Sequence, residues 1–342
     1  MSQTLDITHI FCCPKCRGAL SAAENLSGLL CGTCGTGYGF KGDILDLNPA
    51  PTETASEEME AHRALEARWM DLVPDELRDM VVGEAGERLA LTLPRLTHPD
   101  LARIPTLARF AENADDFFEL LDWMRIRPGE IILEIGAHTG WASHHIARRG
   151  ARVIATDISH QLADTALFLR HGISMLRAYA DMTVLPVRDG VLETIFAVAT
   201  IHHAEDLPGL IASCSRALAP GGRCVFFSEP VAGKYDTRIK EDFGAEDKAM
   251  GVHEHIYTID EYFEAARGAG LLPAVLPLKS ILRDKHRRYR LFRSLWLALL
   301  HIGIGRRPLF TRHIYRVMLR FYPRIPFPHL ALVFTKPRQG DR

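Results

Sequence analysis

The sequence predicts an α/β protein: a doubly wound, mainly parallel sheet, preceded by a small metal-binding module and interrupted near its end by a basic helical insertion. Three observations predict it. Apolar runs of strand length alternate with helical patterns from Glu130 onward, which requires right-handed crossovers between parallel strands. Two close cysteine pairs stand near the N-terminus. The charge is split unevenly: residues 279–342 carry sixteen Lys and Arg against Asp284 and Asp341, a sum of +14 that leaves −15 for the remainder.

At 342 residues the chain has room for one large domain and a smaller module. With 47% apolar, 24% charged and 8% aromatic residues it is neither a disordered chain, a collagen-like repeat nor a disulfide-rich mini-protein. No uncharged apolar run reaches the roughly 18 residues of a membrane span, and Met1 to Ile10 lacks the basic and apolar regions of a signal peptide. The cytoplasm is the expected location.

The module comes first, in residues 1–48. Cys13-Pro14-Lys15-Cys16 and Cys31-Gly32-Thr33-Cys34 are separated by fourteen residues. Two residues between paired cysteines let both thiolates face one ion, and two such turns supply the four-sulfur set of a structural Zn²⁺; unligated thiols are the alternative. Cys12 competes with Cys13, but Pro14 makes Cys13 the better knuckle residue. Cys214 and Cys224 fall in a predicted helix and strand and read as small buried apolar residues. The stretch from Ile10 to Leu47, with Tyr38 and Gly42-Asp43-Ile44-Leu45-Asp46-Leu47 after the second pair, resembles the zinc-ribbon-like domains that also serve as activating subunits of tRNA and protein methyltransferases. Such domains, when fused, precede methyltransferases of many substrates, so the resemblance does not by itself imply RNA.

Residues 49–125 form an acidic helical linker or cap, with seventeen acids against seven arginines between Glu53 and Asp122. The pattern predicts a helix from Thr54 to Leu72 and another opened by Asn113, with Phe117, Leu120, Leu121 and Met124 on one face and Asp115 and Asp116 in the first turn. Such a charge run is either a solvated face, a cover over the substrate pocket, or a partner for the basic segment.

In residues 126–342 the predicted strands are Ile131–Ile135, Arg152–Thr156, Thr194–Ala199 and Cys224–Ser228. His171-Gly172 and Ala219-Pro220-Gly221-Gly222 mark helix ends. The first strand runs into Glu134-Ile135-Gly136-Ala137-His138-Thr139-Gly140 and the second ends at Asp157-Ile158. Glycines at that turn let the backbone approach a ligand, and an acid ending the second strand can hold ribose hydroxyls, so a nucleotide cofactor is expected. Gly136 and Gly140 are spaced by three residues with His138 between them, which does not suit the pyrophosphate of a dinucleotide.

Together with Asp181-Met182, Leu185-Pro186, Ile201-His202-His203 and Leu218-Ala219-Pro220-Gly221-Gly222, this loop resembles the class I S-adenosylmethionine-dependent methyltransferases, especially their ubiquinone-biosynthesis-like branch. The resemblance implies a Rossmann-like sheet of seven strands and S-adenosylmethionine as cofactor. It places Glu134, Gly136, Ala137, His138 and Gly140 around the methionine part, Asp157 and Ile158 at the ribose, and Asp181 and Met182 at the adenine. Two departures stand out. His138 replaces the middle glycine of the usual loop, and Glu193 stands where an Asp usually opens the fourth strand.

Methyl transfer from a sulfonium is an in-line displacement, so the protein holds three atoms in a row and excludes water. A hydroxyl or acidic-carbon acceptor also needs a base, for which His203 and His202 at the sheet edge are the candidates, against a structural role in packing the loop. His253, Glu254, His255 and Tyr257, in the connection after the fifth strand, are candidate substrate residues, with a solvated loop as the alternative. The expected acceptor is a small molecule, a glycan or a lipid-linked group; RNA methylation and a cofactor-binding subunit without turnover are the alternatives, the second hinted at by His138.

Asp260 to Gly270 reads as the last core helix, with strands at Leu271–Leu278 and Leu330–Thr335. The basic segment, about 279–328, is therefore an insertion before the last strand. It mixes arginine with Leu291, Phe292, Trp296 and Phe310, which suits an anionic membrane surface, single-stranded RNA, or extra core against the chain's own acidic helices. Nucleic acid fits least, because its binders expose basic residues without such aliphatic bulk.

Overall fold

The computed structural model describes residues 6–23, 28–48, 50–232, 252–278 and 330–338, with the single positions 245, 248 and 340. The basic insertion of 279–328 lies outside the described residues.

The helices are α1 (Ile7–Ile10), α2 (Glu53–Ala67), α3 (Gly83–Thr92), α4 (Pro105–Met124), α5 (Trp141–Arg148), α6 (Ala166–Arg170), α7 (Leu207–Ala217) and α8 (Ile259–Gly268). The strands are β1 (Leu20–Ala22), β2 (Gly28–Cys31), β3 (Gly37–Lys41), β4 (Ile44–Asp46), β5 (Ile131–Ile135), β6 (Arg152–Asp157), β7 (Leu176–Tyr179), β8 (Leu192–Val198), β9 (Leu218–Phe227), β10 (Val231–Ala232), β11 (Tyr257–Thr258), β12 (Leu272–Pro277) and β13 (Leu330–Thr335).

The core sheet runs β7-β6-β5-β8-β9-β13-β12. Its strands from β7 to β9 are parallel, and β13 and β12 close the edge antiparallel. β5 opens with three consecutive apolar residues, Ile131 to Leu133, because both faces are covered: Ile132 and Leu133 are fully buried, one in each of two clusters on opposite faces. Chain order reverses on either side of β5, so its carboxyl end, beside that of β8, is the place where such a sheet leaves a crevice.

Where the sequence predicts seven strands, the sheet has eleven among the described residues. The added four are β1 to β4 of the cysteine module. β4 pairs in parallel with β7, Leu45 opposite Ala178 and Asp46 opposite Tyr179, which satisfies backbone groups that a free edge strand would leave open. Arg17 fastens the module further by donating to the Val187 carbonyl at 2.9 Å and to Asp189 at 2.7 Å. Buried Arg177 pairs with Asp43.

The acidic stretch folds as α2 to α4 with short 3₁₀ turns between. The first predicted helix breaks at Arg68, continuing as a 3₁₀ turn over Trp69–Leu72. The second begins at Pro105, eight residues before Asn113. Proline suits the first helical position because its missing N–H has no partner there anyway. Asn113 lies inside the helix and donates to the Arg109 carbonyl at 3.1 Å, so Asp115 and Asp116 are not in the first turn. The apolar face of α4, with Phe117, Leu120, Leu121 and Met124, packs on the sheet.

Two histidines of α5 tie this cap to the core. His144 Nε2 donates to the Leu91 carbonyl at 3.2 Å and His145 Nε2 to that of Leu93 at 2.7 Å. Burial pushes His144 down to about 3 and His145 to about 4. Below the unfolded value near 6.5 the unfolded chain therefore takes protons that the folded chain refuses, and stability falls as pH drops from about 6.5 toward 4. Urea midpoints measured from pH 7 to 4.5 should fall in this window, and fall less in a His144→Asn, His145→Gln double variant.

Candidate active site

A cavity of about 710 Å³ opens at the carboxyl ends of β5, β6 and β8, within the ~300–1,000 Å³ common for small-molecule sites. Its floor comes from the loops after these strands. Its roof comes from the acidic cap, through Ala55, Glu58 and His62 of α2 and Arg109, Phe110 and Asn113 of α4.

Of the nine residues expected at a cofactor, six line this cavity: Gly136, His138, Asp157, Ile158, Asp181 and Met182. Gly136 has a φ of +67°, and a Cβ there would lie 2.3 Å from Thr200 Cγ2, so the floor admits only glycine at that point. His138 adopts the left-handed conformation too, at φ +51°. Its backbone N–H donates to Asp157 Oδ2 at 2.6 Å, and Ser159 N–H donates to Oδ1 at 2.7 Å. Burial pushes the His138 ring below its ordinary value, so a neutral imidazole faces the cavity at neutral pH. Asp181 Oδ1 accepts from the Thr183 N–H at 2.8 Å and its hydroxyl at 2.7 Å.

The other three expected residues do not line the cavity. Glu134 is 1% exposed, accepts from the Ser143 hydroxyl, and is pushed up to about 8 by burial. Ala137 is buried, with its N–H on the Thr156 carbonyl at 3.0 Å. Gly140 caps α5 at φ +77°. They shape the loop from behind. Glu193 likewise serves the backbone, accepting from the Ile131 N–H at 2.5 Å.

The histidine pair lies in the 3₁₀ turn Ile201–His203. Glu229, fully buried just after β9, holds that turn by accepting from the N–H groups of Thr200 at 2.9 Å, Ile201 at 3.0 Å and His202 at 3.2 Å. His202 Nδ1 lies 2.9 Å from the same carboxylate and Nε2 lies 3.3 Å from Glu254 Oε2. Burial opposes charge on this ring, but the two carboxylates outweigh it and raise His202 to about 9. His202 does not line the cavity and its two ring nitrogens face Glu229 and Glu254, so it stands behind the turn and not at the cavity wall where a base is expected.

His203 does line the cavity. Its Nδ1 donates to the His253 carbonyl at 2.8 Å and lies 3.1 Å from Glu58 Oε1. A carbonyl only accepts, so Nδ1 carries the proton and Nε2 the lone pair in the neutral ring. The expected substrate residues His253, His255 and Tyr257 do not line the cavity. They fasten the turn from outside: His255 N–H donates to the His202 carbonyl at 3.2 Å, and the Tyr257 hydroxyl donates to the carbonyls of Ala204 and of Glu205, the latter at 3.1 Å.

In the N-terminal module Cys13, Cys16, Cys31 and Cys34 bring their sulfurs within 4.8 Å of one another. Cys13 Sγ lies 3.6 Å from Cys34 Sγ, and Cys16 Sγ 3.5 Å from Cys31 Sγ. A tetrahedral ion with bonds of about 2.3 Å spaces its sulfurs about 3.8 Å apart, so the four fit one ion. The Tyr38 hydroxyl, 3.0 Å from Cys13 Sγ, is placed as an outer-shell donor.

Sequence comparison places this geometry among known proteins. A malonyl-[acyl-carrier protein] O-methyltransferase of Xylella fastidiosa (strain M23) is 36% identical over 107 residues, 30% of this chain and 36% of that protein. A demethylmenaquinone methyltransferase of Mycobacterium marinum is 29% identical over 120 residues, 34% of this chain and 50% of that protein. Phosphoethanolamine N-methyltransferase 1 of Zea mays is 28% identical over 163 residues, 47% of this chain and 31% of that protein. The chain thus spans about a third to a half of the length of these curated relatives. Residues 133–226, which hold the glycine turn, Asp157, Asp181 and the histidine pair, match the family model described as a methyltransferase domain.

Proposed function

We propose that the protein is an S-adenosylmethionine-dependent methyltransferase acting on a small-molecule, glycan or lipid-linked acceptor. The observation that carries this is the convergence of Gly136, Asp157, Asp181 and Met182 on one capped cavity that His203 also reaches. When bound, the cofactor supplies a methyl group activated by its sulfonium. The chain's own residues do the rest: Asp157 takes the ribose hydroxyls, Asp181 and Met182 hold the adenine, and the glycine turn leaves room for the methionine part. Helices α2 and α4 exclude water. The proton of a hydroxyl acceptor leaves to the His203–Glu58 pair at the cavity wall.

The cavity favours an acceptor small enough to share it with the cofactor. The basic insertion, rich in Arg and aromatic residues, suits peripheral contact with an anionic membrane that presents a lipid-linked acceptor. No helix among the described residues is long and apolar enough to cross a membrane. Incubating the protein with methyl-labelled cofactor and separate lipid, metabolite and RNA extracts should label the lipid or metabolite fraction. Label confined to RNA would replace the acceptor class, and no label anywhere would favour a binding subunit.

The four-cysteine set is assigned a structural zinc, since a closed sulfur shell leaves no position for chemistry and contributes folding free energy to a module too small for its own core. A Cys31→Ser, Cys34→Ser variant should contain one zinc equivalent fewer than the wild type by elemental analysis and unfold at lower temperature.

A further inference from the structure

The methionine part of the proposed donor ends in a carboxylate and an ammonium group, and the cavity floor answers neither with a cation. Glu134, expected there, is turned to the Ser143 hydroxyl, while Ala137 and Gly140 lie behind the loop. Four acids that line the cavity already have partners: Asp157 and Asp181 take backbone N–H groups, Glu58 lies on His203, and Asp206 caps α7 by accepting from the Gly209 N–H at 2.9 Å. Among the described residues, Arg109 of the roof is the only lysine or arginine that lines the cavity. Asn113, one turn further along α4, lines it too. Phe110, next to Arg109, meets Trp141 edge-on at 5.1 Å, and Trp141 directly follows Gly140. This part of α4 therefore sits beside the glycine turn. Asn113 Nδ2 donates to the Arg109 carbonyl at 3.1 Å. A carbonyl only accepts, so that bond fixes which way the amide faces. Asn113 Oδ1 is left buried without a hydrogen bond, and a buried acceptor with no donor is rare in folded proteins.

We infer that Arg109 and Asn113 hold the amino-acid end of S-adenosylmethionine, the Arg109 guanidinium taking the α-carboxylate and Asn113 Oδ1 accepting from the α-ammonium. The assignment rests on the methyl-transfer reading. A guanidinium suits the first task because its fork of N–H groups matches the two oxygens of a carboxylate. The amide oxygen suits the second because an ammonium group only donates. A cation and an acceptor one turn apart thus recognise a zwitterion, and a nucleoside that lacks it gains nothing from them. The acidic cap then does more than exclude water: through α4 it selects the intact donor, while the floor reads the nucleoside.

The test is calorimetry on the full chain with two ligands, S-adenosylmethionine and 5′-methylthioadenosine, which keeps the nucleoside and sulfur but lacks the amino-acid end. Arg109→Ala is expected to weaken S-adenosylmethionine binding by about 10–100-fold, the range for a hydrogen bond to a charged group. Asn113→Ala should weaken it by about tenfold. Both variants should bind methylthioadenosine as the wild type does, which also shows that they are folded. Decarboxylated S-adenosylmethionine should bind wild type and Arg109→Ala alike, yet still lose affinity in Asn113→Ala. Wild-type affinity for S-adenosylmethionine in Arg109→Ala would overturn the inference, and so would equal losses for both ligands, because the residue would then act on the nucleoside or on the fold. Wild-type affinity in Asn113→Ala would remove the ammonium half of the assignment. A wild-type chain that binds neither ligand would instead count against the methyl-transfer reading.

Discussion

Asp157→Ala is expected to weaken S-adenosylmethionine binding by about 100-fold or more, the equivalent of about 3 kcal/mol. Two losses add. The carboxylate ends β6 at the cavity wall, where it can accept from a ribose, and hydrogen bonds to a charged acceptor are worth about 1.5–3 kcal/mol each. It also receives the His138 and Ser159 backbone N–H groups at 2.6 and 2.7 Å, so its removal leaves two donors open and loosens the turn that shapes the cavity floor. Asp157→Asn keeps one carbonyl acceptor and should fall between the two. Isothermal calorimetry measures both, with the urea midpoint of each variant to separate lost contacts from lost fold. Wild-type affinity in Asp157→Ala would remove the basis for placing the cofactor here.

The parts of this site that were legible in the sequence are those fixed by local pattern. β5 and β13 fall on the residues predicted, because an apolar run bounded by turn residues leaves little choice of ends. The glycine turn and the acid ending β6 were legible because backbone conformation demands particular residues there. What escaped depends on partners distant in sequence. The pairing of β4 with β7 joins segments about 130 residues apart, and nothing local in Ile44–Asp46 announces it. Glu229 is a lone acid after a strand, and its role emerges only when three N–H groups of another loop turn toward it. Glu58 did leave a trace: Ala55, Glu58 and His62 recur at helical spacing and all line the cavity, so one acid in an otherwise solvated run shares a face with a small residue and a histidine. The chemistry of His253, His255 and Tyr257 points to substrate, yet the His255 N–H and the Tyr257 hydroxyl bond the backbone of the histidine turn and the His253 carbonyl accepts from the His203 ring.

Glu229→Ala is expected to destabilise the protein by about 3–5 kcal/mol, the usual result of removing one partner of a buried ion pair. The side chain is fully buried, and its two oxygens serve three backbone donors and the His202 ring. Alanine leaves those donors without an acceptor in a place water does not reach, and leaves His202 to face Glu254 alone. Glu229→Gln separates the two effects. Its amide oxygen can keep the Thr200 and Ile201 donors, while its NH₂ group meets the His202 N–H donor to donor, so the loss should be smaller, about 1–3 kcal/mol for the donor left unsatisfied. Urea unfolding gives both values. If the turn positions His203 for proton transfer, Glu229→Gln should also lower kcat with little change in KM for the cofactor, since the glycine turn and Asp157 lie on other strands. An unchanged urea midpoint in Glu229→Ala would mean that the turn is held by the His253–Tyr257 segment instead.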